Sequence, residues 1–187
     1  MRIISGSYKG TRLKTGDPDK MRPTKDVVKE AVFNMIQDFP RESCCLDLYA
    51  GSGNLGLEAI SRGAEWTTFV EMSSKNCGII EDNINKIGSE DRCEVLCLKA
   101  SSFLSTTTKK YDLVFIDPPY DSEEYDYVLE DLIHKNCLIN PAIVVVEFYV
   151  REKPELNLEE YLILREKQYG KTGIYLLEYQ GAGDDNG

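Results

Sequence analysis

The residues best suited to chemistry form one short stretch, Asp117-Pro118-Pro119-Tyr120, which directly follows an apolar run at residues 113–116. Such a short apolar run is typical of a strand buried on both faces, and it ends there because proline cannot donate to a β-ladder. Ligands bind at the carboxyl ends of strands in open α/β sheets. The stretch therefore predicts a stiff turn that presents a carboxylate, carbonyl oxygens and an aromatic ring to a ligand.

This turn suits attack by a planar exocyclic amine, which is a poor nucleophile because its lone pair is delocalised into the base ring. The Asp117 carboxylate and the Pro118 carbonyl can accept hydrogen bonds from the amine and draw its nitrogen towards tetrahedral geometry. The Tyr120 ring can stack on the base, which is worth roughly 1–3 kcal/mol. A strand that simply ends in a proline turn is the alternative interpretation.

A second candidate site is the glycine-rich stretch at residues 50–56, which lies between a predicted strand at residues 44–49 and a predicted helix. Its spacing matches G-x-G-x-x-G, a pattern typical of dinucleotide-binding loops. Asp47 precedes the loop, and its carboxylate would repel a pyrophosphate but attract the ammonium of an amino-acid-bearing cofactor. The carboxylate therefore favours S-adenosylmethionine over a nicotinamide dinucleotide.

The predicted second strand, residues 66–72, carries an acid at its end. Glu71 is placed there to accept the two ribose hydroxyls of an adenosine, a feature that both cofactor hypotheses share. Met72 can pack on the adenine face, although a methionine is as often part of the core. Ser73 or Ser74 is predicted to cap the following helix, and Gly88 ends it.

Strand and helix patterns alternate along the rest of the chain. One predicted helix begins at Thr24, which can act as its N-cap, and another begins near Glu123. The other predicted strands are residues 94–98, residues 142–150, and a closing antiparallel hairpin formed by residues 161–169 and 172–179.

Length and composition limit the class of protein. A chain of 187 residues is predicted to form one domain, and the absence of a signal peptide and of a long apolar run predicts a cytoplasmic protein without a membrane span. The six cysteines lack a C-x-x-C pair and are expected to be reduced thiols. Cys93, Cys97 and His134 would make only a thin metal site, so we expect no metal.

The charge distribution is uneven. The net charge of −10 argues against nucleic acid, yet residues 1–29 carry eight Lys and Arg against three Asp. A basic N-terminal arm on an acidic body is typical of a local nucleic-acid-binding surface. The alternative interpretation is a charged face that contacts only solvent. Residues 2–14 are predicted to form a short hairpin, and basic side chains around an aromatic ring are typical of RNA contacts. The candidate RNA-binding residues are Arg2, Tyr8, Lys9, Arg12 and Lys14.

Several motifs in a fixed order resemble those of the bacterial RsmD-type methyltransferases, which act on the exocyclic N2 of a guanine in small-subunit ribosomal RNA. The motifs are RPTKDVVKEAVFN (22–34), LDLYAGSGNLGLEAISRGA (46–64), FVE (69–71) and DPPY (117–120). The resemblance covers residues 2–179 and includes the RIISG start and the YGKT hairpin at residues 169–172.

The resemblance implies an α/β architecture, the Rossmann-like fold of class I S-adenosylmethionine-dependent methyltransferases. It comprises a seven-stranded, mostly parallel sheet with helices on both faces and an antiparallel last strand, plus an N-terminal β-hairpin. The expected organisation is a single methyltransferase domain at residues 1–179, with residues 1–21 as the RNA-contacting extension and residues 22–179 as the core. Residues 180–187 are expected to be a flexible tail.

The resemblance also implies roles for individual residues. The flipped guanine would be held by Asp117, Pro118, Pro119 and Tyr120. The expected S-adenosylmethionine-binding residues are Arg22, Thr24, Asn34, Asp47, Ala50, Gly51, Ser52, Gly53, Glu71, Met72 and Ser101. The family usually has an aspartate after the third strand, where this chain has Lys99 and Ala100 followed by Ser101 and Ser102. A serine hydroxyl or a backbone group could substitute for that aspartate.

The expected reaction is direct transfer of a methyl group to guanine N2, and the expected partner is small-subunit ribosomal RNA or the assembled small subunit, bound by a monomer. Adenine-N6 methylation of DNA through the same turn is one alternative. A non-catalytic RNA-binding or assembly protein is a second, and a nicotinamide oxidoreductase is a third.

Overall fold

The computed structural model describes residues 1–16, 23–37, 39–118 and 123–181, apart from the side chains of residues 23–25 and 123. The described strands are β1 (Cys44–Leu48), β2 (Trp66–Val70), β3 (Cys93–Leu96), β4 (Tyr111–Ile116), β5 (Leu138–Tyr149), β6 (Tyr161–Tyr169) and β7 (Thr172–Tyr179). They form one sheet in the order β3-β2-β1-β4-β5-β7-β6. Strands β1 to β5 pair in parallel, and β7 is antiparallel to both β5 and β6. This confirms the predicted sheet.

Helices cover both faces of the sheet. The described α-helices are α1 (Pro23–Ile36), α2 (Asn54–Ser61), α3 (Ser74–Ile87), α4 (Ala100–Thr106) and α5 (Glu123–His134). Side chains of α1, α2 and α3 pack in one apolar cluster with one face of the sheet, and those of α4 and α5 pack in a second cluster on the other face. Each described helix is too short or too polar to cross a membrane.

The central strand β4 is apolar on both sides because it contributes to both clusters. Leu113 and Phe115 face the first cluster, and Val114 and Ile116 face the second. All four side chains are buried, and burying each contributes roughly 1.5–3 kcal/mol relative to leaving it exposed. The continuous apolar run that precedes Asp117 is the sequence signature of this double burial.

The structure differs from the sequence predictions at several elements. Helix α1 begins at Pro23, whose fixed φ and missing N–H suit the first helical position, so Thr24 lies inside the first turn and is not the N-cap. Helix α4 was not predicted, because its serines and threonines have modest helix propensity and only two large apolar residues anchor it. Strand β5 begins at Leu138, which pairs with Tyr111 ahead of a register shift that the sequence does not reveal.

The N-terminal segment, residues 1–16, doubles back on itself with less ladder than a regular hairpin. One isolated antiparallel bridge joins Arg2 and Arg12, with the Ile3 N–H donating to the Thr11 carbonyl at 2.9 Å. The backbone of residues 4–8 instead bonds to helix α2, as described below, so the segment is held by the body more than by its own strands.

Candidate active site

The strand register places three candidate residues side by side at the carboxyl edge of the sheet. Leu48 pairs with Val70 on one side and with Ile116 on the other. The next residues, Tyr49, Glu71 and Asp117, therefore leave their strands at the same level. Strands β1 and β4 lie where the chain order of the sheet reverses, which is where open α/β sheets bind ligands.

Glu71 joins the two turns that flank the β1–β2 edge. Its Oε2 accepts a hydrogen bond from the Gly51 N–H at 2.8 Å, and its Oε1 accepts one from the Ser73 N–H at 2.8 Å. Ser73 caps helix α3, since its side chain accepts a hydrogen bond from the Asn76 N–H. The carboxylate thus fixes the glycine loop against the start of α3 while it remains at the edge.

The glycine loop, residues 50–56, adopts a backbone that other residues tolerate poorly. Gly51 and Gly53 have φ of 59° and 76°, and Tyr49, which precedes the loop, has φ of 60°. A positive φ is uncommon for an aromatic residue and marks local strain at a functional turn. At Gly56, an added Cβ would lie 2.3 Å from Phe69 Cε1. This third glycine therefore allows α2 to pack directly on β2, as in nucleotide-binding loops of this spacing.

Asp47 lies beneath the loop instead of beside it. Only 3% of the residue is exposed, and its Oδ2 accepts a hydrogen bond from the Gly56 N–H at 2.8 Å. Burial raises the pKa of Asp47 to about 8, the Gly56 hydrogen bond opposes this shift, and the neighbouring Asp117 and Glu71 charges add to it. In this structure Asp47 fixes the loop from below.

Asp117 is exposed directly after β4, and Pro118 beside it is buried. The remaining members of the predicted turn, Pro119 and Tyr120, lie outside the described residues. Tyr125, near the start of α5, donates a hydrogen bond from its hydroxyl to the Glu147 carbonyl at 3.2 Å. Helix α5 is thereby tied to β5.

Comparison with known proteins identifies the family. A family model described as "Conserved hypothetical protein 95" matches residues 1–178. Ribosomal RNA small subunit methyltransferase D of Haemophilus influenzae is 34% identical over 181 residues, which cover 95% of this chain and 93% of that protein. The chain belongs to this methyltransferase family.

Two solved structures have a similar fold. The structure of yhhF from Escherichia coli matches with a TM-score of 0.88 at 30% identity, covering 97% of this chain and 99% of that one. SMU.776, which was crystallised in complex with SAH, matches with a TM-score of 0.70 at 11% identity and covers 84% of this chain and 50% of that one. The second match shows that the fold is shared.

The other cofactor candidates lie on different elements of the structure. Met72 follows Glu71 and is 65% exposed, and Ser101 is exposed in the first turn of α4. Asn34 is exposed in the last turn of α1, the end that leads to the amino end of β1, and roughly 16 Å of helix separate it from Pro23. The role of Asn34 in cofactor binding stays a prediction.

The remaining cofactor candidates lie in or next to the loop, or beyond the described part of the chain. Ala50 is buried and its N–H donates to the Val70 carbonyl at 3.0 Å, while the Ser52 carbonyl accepts from Asn83 Nδ2 at 3.1 Å. Arg22 and the Thr24 side chain lie outside the description.

Four of the five candidate RNA-binding residues on the N-terminal segment are exposed, namely Arg2, Lys9, Arg12 and Lys14. Arg2 and Arg12, together with Met1 and Asp26, line a cavity of about 420 Å³. The fifth candidate, Tyr8, is half-buried, and its hydroxyl accepts a hydrogen bond from Ser89 Oγ at 2.9 Å. Its ring is therefore engaged with the body of the protein.

Sequence reasoning missed two features near the site. Glu147 follows Val146, which pairs with Ile116, so it extends the row of edge residues beyond Asp117. Glu147 lies inside an otherwise apolar strand, so the sequence pattern does not indicate its position at the edge. The register of β5 with β4 identifies that position. The burial of Lys29 and Glu58 was also missed. A charged residue in an amphipathic helix is normally expected on the solvent-exposed face. Both are buried.

Proposed function

We propose that this protein is an S-adenosylmethionine-dependent methyltransferase that modifies the exocyclic N2 amine of a guanine in small-subunit ribosomal RNA. The observation that carries the proposal is the row formed by Tyr49, Glu71 and Asp117 at one edge of the sheet. This row supports the proposal because the cofactor candidates of β1 and β2 and the proposed amine acceptor Asp117 follow neighbouring strands at one level. The proposed substrate is cytoplasmic, as RNA alone or as the assembled small subunit.

The edge has the right chemistry for this cofactor. Glu71 and Asp117 lie side by side at the edge, and two acidic residues there favour a sulfonium and an ammonium over a pyrophosphate. Beside Gly51, the only described atom within 4 Å of an added Cβ is the Tyr49 carbonyl oxygen at 4.0 Å. A ligand can therefore approach the loop backbone closely. When bound, S-adenosylmethionine supplies an electrophilic methyl group.

Individual residues have distinct proposed tasks at this edge. Glu71 and the backbone of Gly51 and Gly53 hold the cofactor, and the exposed Met72 covers one face of its adenine. Asp117 accepts a hydrogen bond from the guanine amine, orients its nitrogen towards the methyl group, and takes the proton that the amine loses after transfer. Such positioning can supply roughly 7–11 kcal/mol of a barrier, while unstacking the base costs on the order of a few kcal/mol.

The test compares Asp117→Asn with Asp112→Asn, which makes the same change at the other end of the described β4 strand. Labelled methyl transfer from S-adenosylmethionine is measured with small ribosomal subunits from cells that lack this activity. We expect Asp117→Asn to lower the rate roughly 10²–10⁴-fold, because the amide cannot take the proton. The Asp112 variant should retain the rate, and both should retain their affinity for S-adenosylhomocysteine in titration calorimetry.

Digestion of the labelled RNA then identifies the modified nucleoside. N2-methylguanosine from the wild-type protein would support the proposed atom and base. Wild-type turnover by Asp117→Asn would contradict the role of Asp117, and N6-methyladenine formed on duplex DNA in preference to RNA would contradict the proposed substrate.

A further inference from the structure

A buried ion pair lies between the N-terminal segment and the start of helix α2. Lys29 of α1 is 1% exposed and Glu58 of α2 is 0% exposed, and the Lys29 Nζ lies 3.2 Å from the Glu58 Oε2. The same Nζ donates to the Arg2 carbonyl at 2.7 Å and to the Asn54 Oδ1 at 2.9 Å. Asn54 is the first residue of α2 and directly follows Gly53. One ammonium group therefore joins the N-terminal segment to the glycine loop.

Glu58 makes the same connection from the opposite side. Its Oε2 accepts from the Ile4 N–H at 2.8 Å, and its Oε1 accepts from the Ser5 N–H at 3.0 Å. The Arg62 Nε also donates to Oε1 at 2.9 Å. The carboxylate thus satisfies two consecutive N–H groups of the N-terminal segment, which a single partner strand could not do because successive N–H groups point to opposite sides.

A neighbouring serine extends this attachment along α2. Ser61 Oγ donates to the Ser5 carbonyl and accepts from the Tyr8 N–H at 3.0 Å, and the Ser61 carbonyl accepts from the Ser7 N–H at 2.7 Å. At Gly6 an added Cβ would overlap the Ser61 carbonyl oxygen. The N-terminal segment therefore lies directly on the helix that begins at the glycine loop.

Overall stability alone does not explain a buried ion pair, because well-packed apolar residues of similar size commonly stabilise a protein as well or better. Desolvation lowers the pKa of Lys29, and the Glu58 charge opposes this shift. Burial therefore disfavours the charged form of the lysine. The pair instead makes specific connections. Lys29 bonds to the N-terminal backbone and to α2, and Glu58, which belongs to α2, bonds to the N-terminal backbone.

We propose that Lys29 and Glu58 are positioning residues that couple RNA binding at the N-terminal segment to cofactor binding at the glycine loop. The proposal rests on the function proposed above. RNA phosphates that contact Arg2 and Arg12 order the backbone to which Lys29 is bonded, and Lys29 transmits this order to Asn54 at the start of α2. By linkage, bound cofactor must strengthen RNA binding by the same factor.

The test measures the affinity for S-adenosylhomocysteine, with and without saturating small ribosomal subunits from cells that lack this activity. We expect the subunits to tighten the binding of S-adenosylhomocysteine to the wild-type protein at least ~5-fold. In Asn54→Ala, Lys29 keeps Glu58 and the Arg2 carbonyl, so this variant should fold normally and reduce the factor towards 1. Lys29→Met should do the same, and Lys29→Arg should restore part of the coupling.

The matched control is Lys86→Met. Lys86 Nζ donates to the Arg12 carbonyl at 2.6 Å, so it also bonds the backbone of the N-terminal segment, but from α3 and not from the glycine-loop helix. This variant should keep the wild-type coupling factor. Because Lys29 is buried and Lys86 is exposed, Lys29→Met also carries a stability cost, so Asn54→Ala, which keeps the ion pair, decides whether the loss of coupling is specific.

Each outcome bears on one of the two proposals. If the wild-type protein binds both ligands and the factor is 1, or if Asn54→Ala keeps the wild-type factor, the coupling is refuted while the proposed function stands. If Lys86→Met loses as much coupling as Lys29→Met, the specific role of Lys29 is refuted. If the wild-type protein binds neither S-adenosylhomocysteine nor the subunits, the proposed function fails and the coupling fails with it.

Discussion

Gly56 offers a direct test of how helix α2 is fixed to the sheet. In Gly56→Ala, the new methyl group would lie 2.3 Å from Phe69 Cε1 and 2.8 Å from Thr67 Cγ2. Both neighbours are completely buried, so neither can move without disturbing the core. Overpacking of this kind costs about 1–3 kcal/mol, and the close approach to Phe69 puts this site at the upper end of that range. The better helix propensity of alanine returns about 0.8–1 kcal/mol.

The expected net loss is about 2 kcal/mol, which lowers the melting temperature of a domain of this size by roughly 4–8 °C. Gly78→Ala is the matched control, because Gly78 is inside α3 and no described atom lies within 4 Å of its added Cβ. That variant should gain roughly 0.5–1 kcal/mol from helix propensity alone. Thermal unfolding followed by circular dichroism and calorimetry measures both changes.

The same substitution should also weaken the cofactor site, because the Gly56 N–H donates to Asp47. Displacing α2 from β2 moves that donor and, with it, the glycine loop. We therefore expect lower affinity for S-adenosylhomocysteine in Gly56→Ala and unchanged affinity in Gly78→Ala. A melting temperature of Gly56→Ala equal to or above that of the wild type would refute the close-packing argument.

Three further predictions follow from the site. Because the folded protein holds a proton on Asp47 that the unfolded chain loses above pH 3.8, the free energy of unfolding should fall as pH rises from 3.8 to about 8. The slope should be at most roughly 1.4 kcal/mol per pH unit and should disappear in Asp47→Asn, as measured by denaturant titrations at several pH values. Glu71→Gln should weaken S-adenosylhomocysteine binding roughly 10-fold or more, because an amide cannot accept both backbone N–H groups, whereas Glu81→Gln on the exposed side of α3 should have no effect in calorimetry. Lys14→Ala should reduce the salt dependence of RNA binding by about one phosphate contact while the melting temperature stays nearly constant, since exposed ion pairs contribute little.

Each of these predictions has a contradicting result. An unchanged pH slope in Asp47→Asn would show that another group binds the proton. Equal affinities of Glu71→Gln and Glu81→Gln would remove Glu71 from the cofactor site. An unchanged salt dependence in Lys14→Ala would remove that lysine from the RNA surface.

Much of the fold was predictable because local patterns and tertiary structure agree. Double burial makes the β4 stretch before Asp117 continuously apolar, and Ser73 and Gly88 mark the ends of α3 with the expected cap conformations. The order of motifs also predicted the sheet. Helix α4 escaped prediction because packing, and not propensity, stabilises it.

The position of a site residue was predictable where it follows from the residue's place in a sequence motif. It was less predictable where tertiary contacts determine the residue's burial and partners. Glu71 was placed at the edge by its position after a strand. That Asp47 is covered by the loop could not be derived from the sequence, because burial depends on how α2 packs on β2. The ion pair between Lys29 and Glu58 joins two helices that are far apart in sequence, and no local sequence pattern predicts it.

The strand order has a consequence for how the chain is made. Strand β7 follows β5 and β6 in the described part of the chain but lies between them in the sheet, and it pairs with β5 along eight positions from Ala142 to Tyr149. Until residues 172–179 have emerged from the ribosome, β5 presents an unpaired apolar edge and β6 lacks its neighbour in the sheet. Such an edge is a template for association between nascent chains. A premature stop after Tyr169 should therefore yield aggregated protein, even though every residue of the proposed cofactor and methyl-transfer site has already been made.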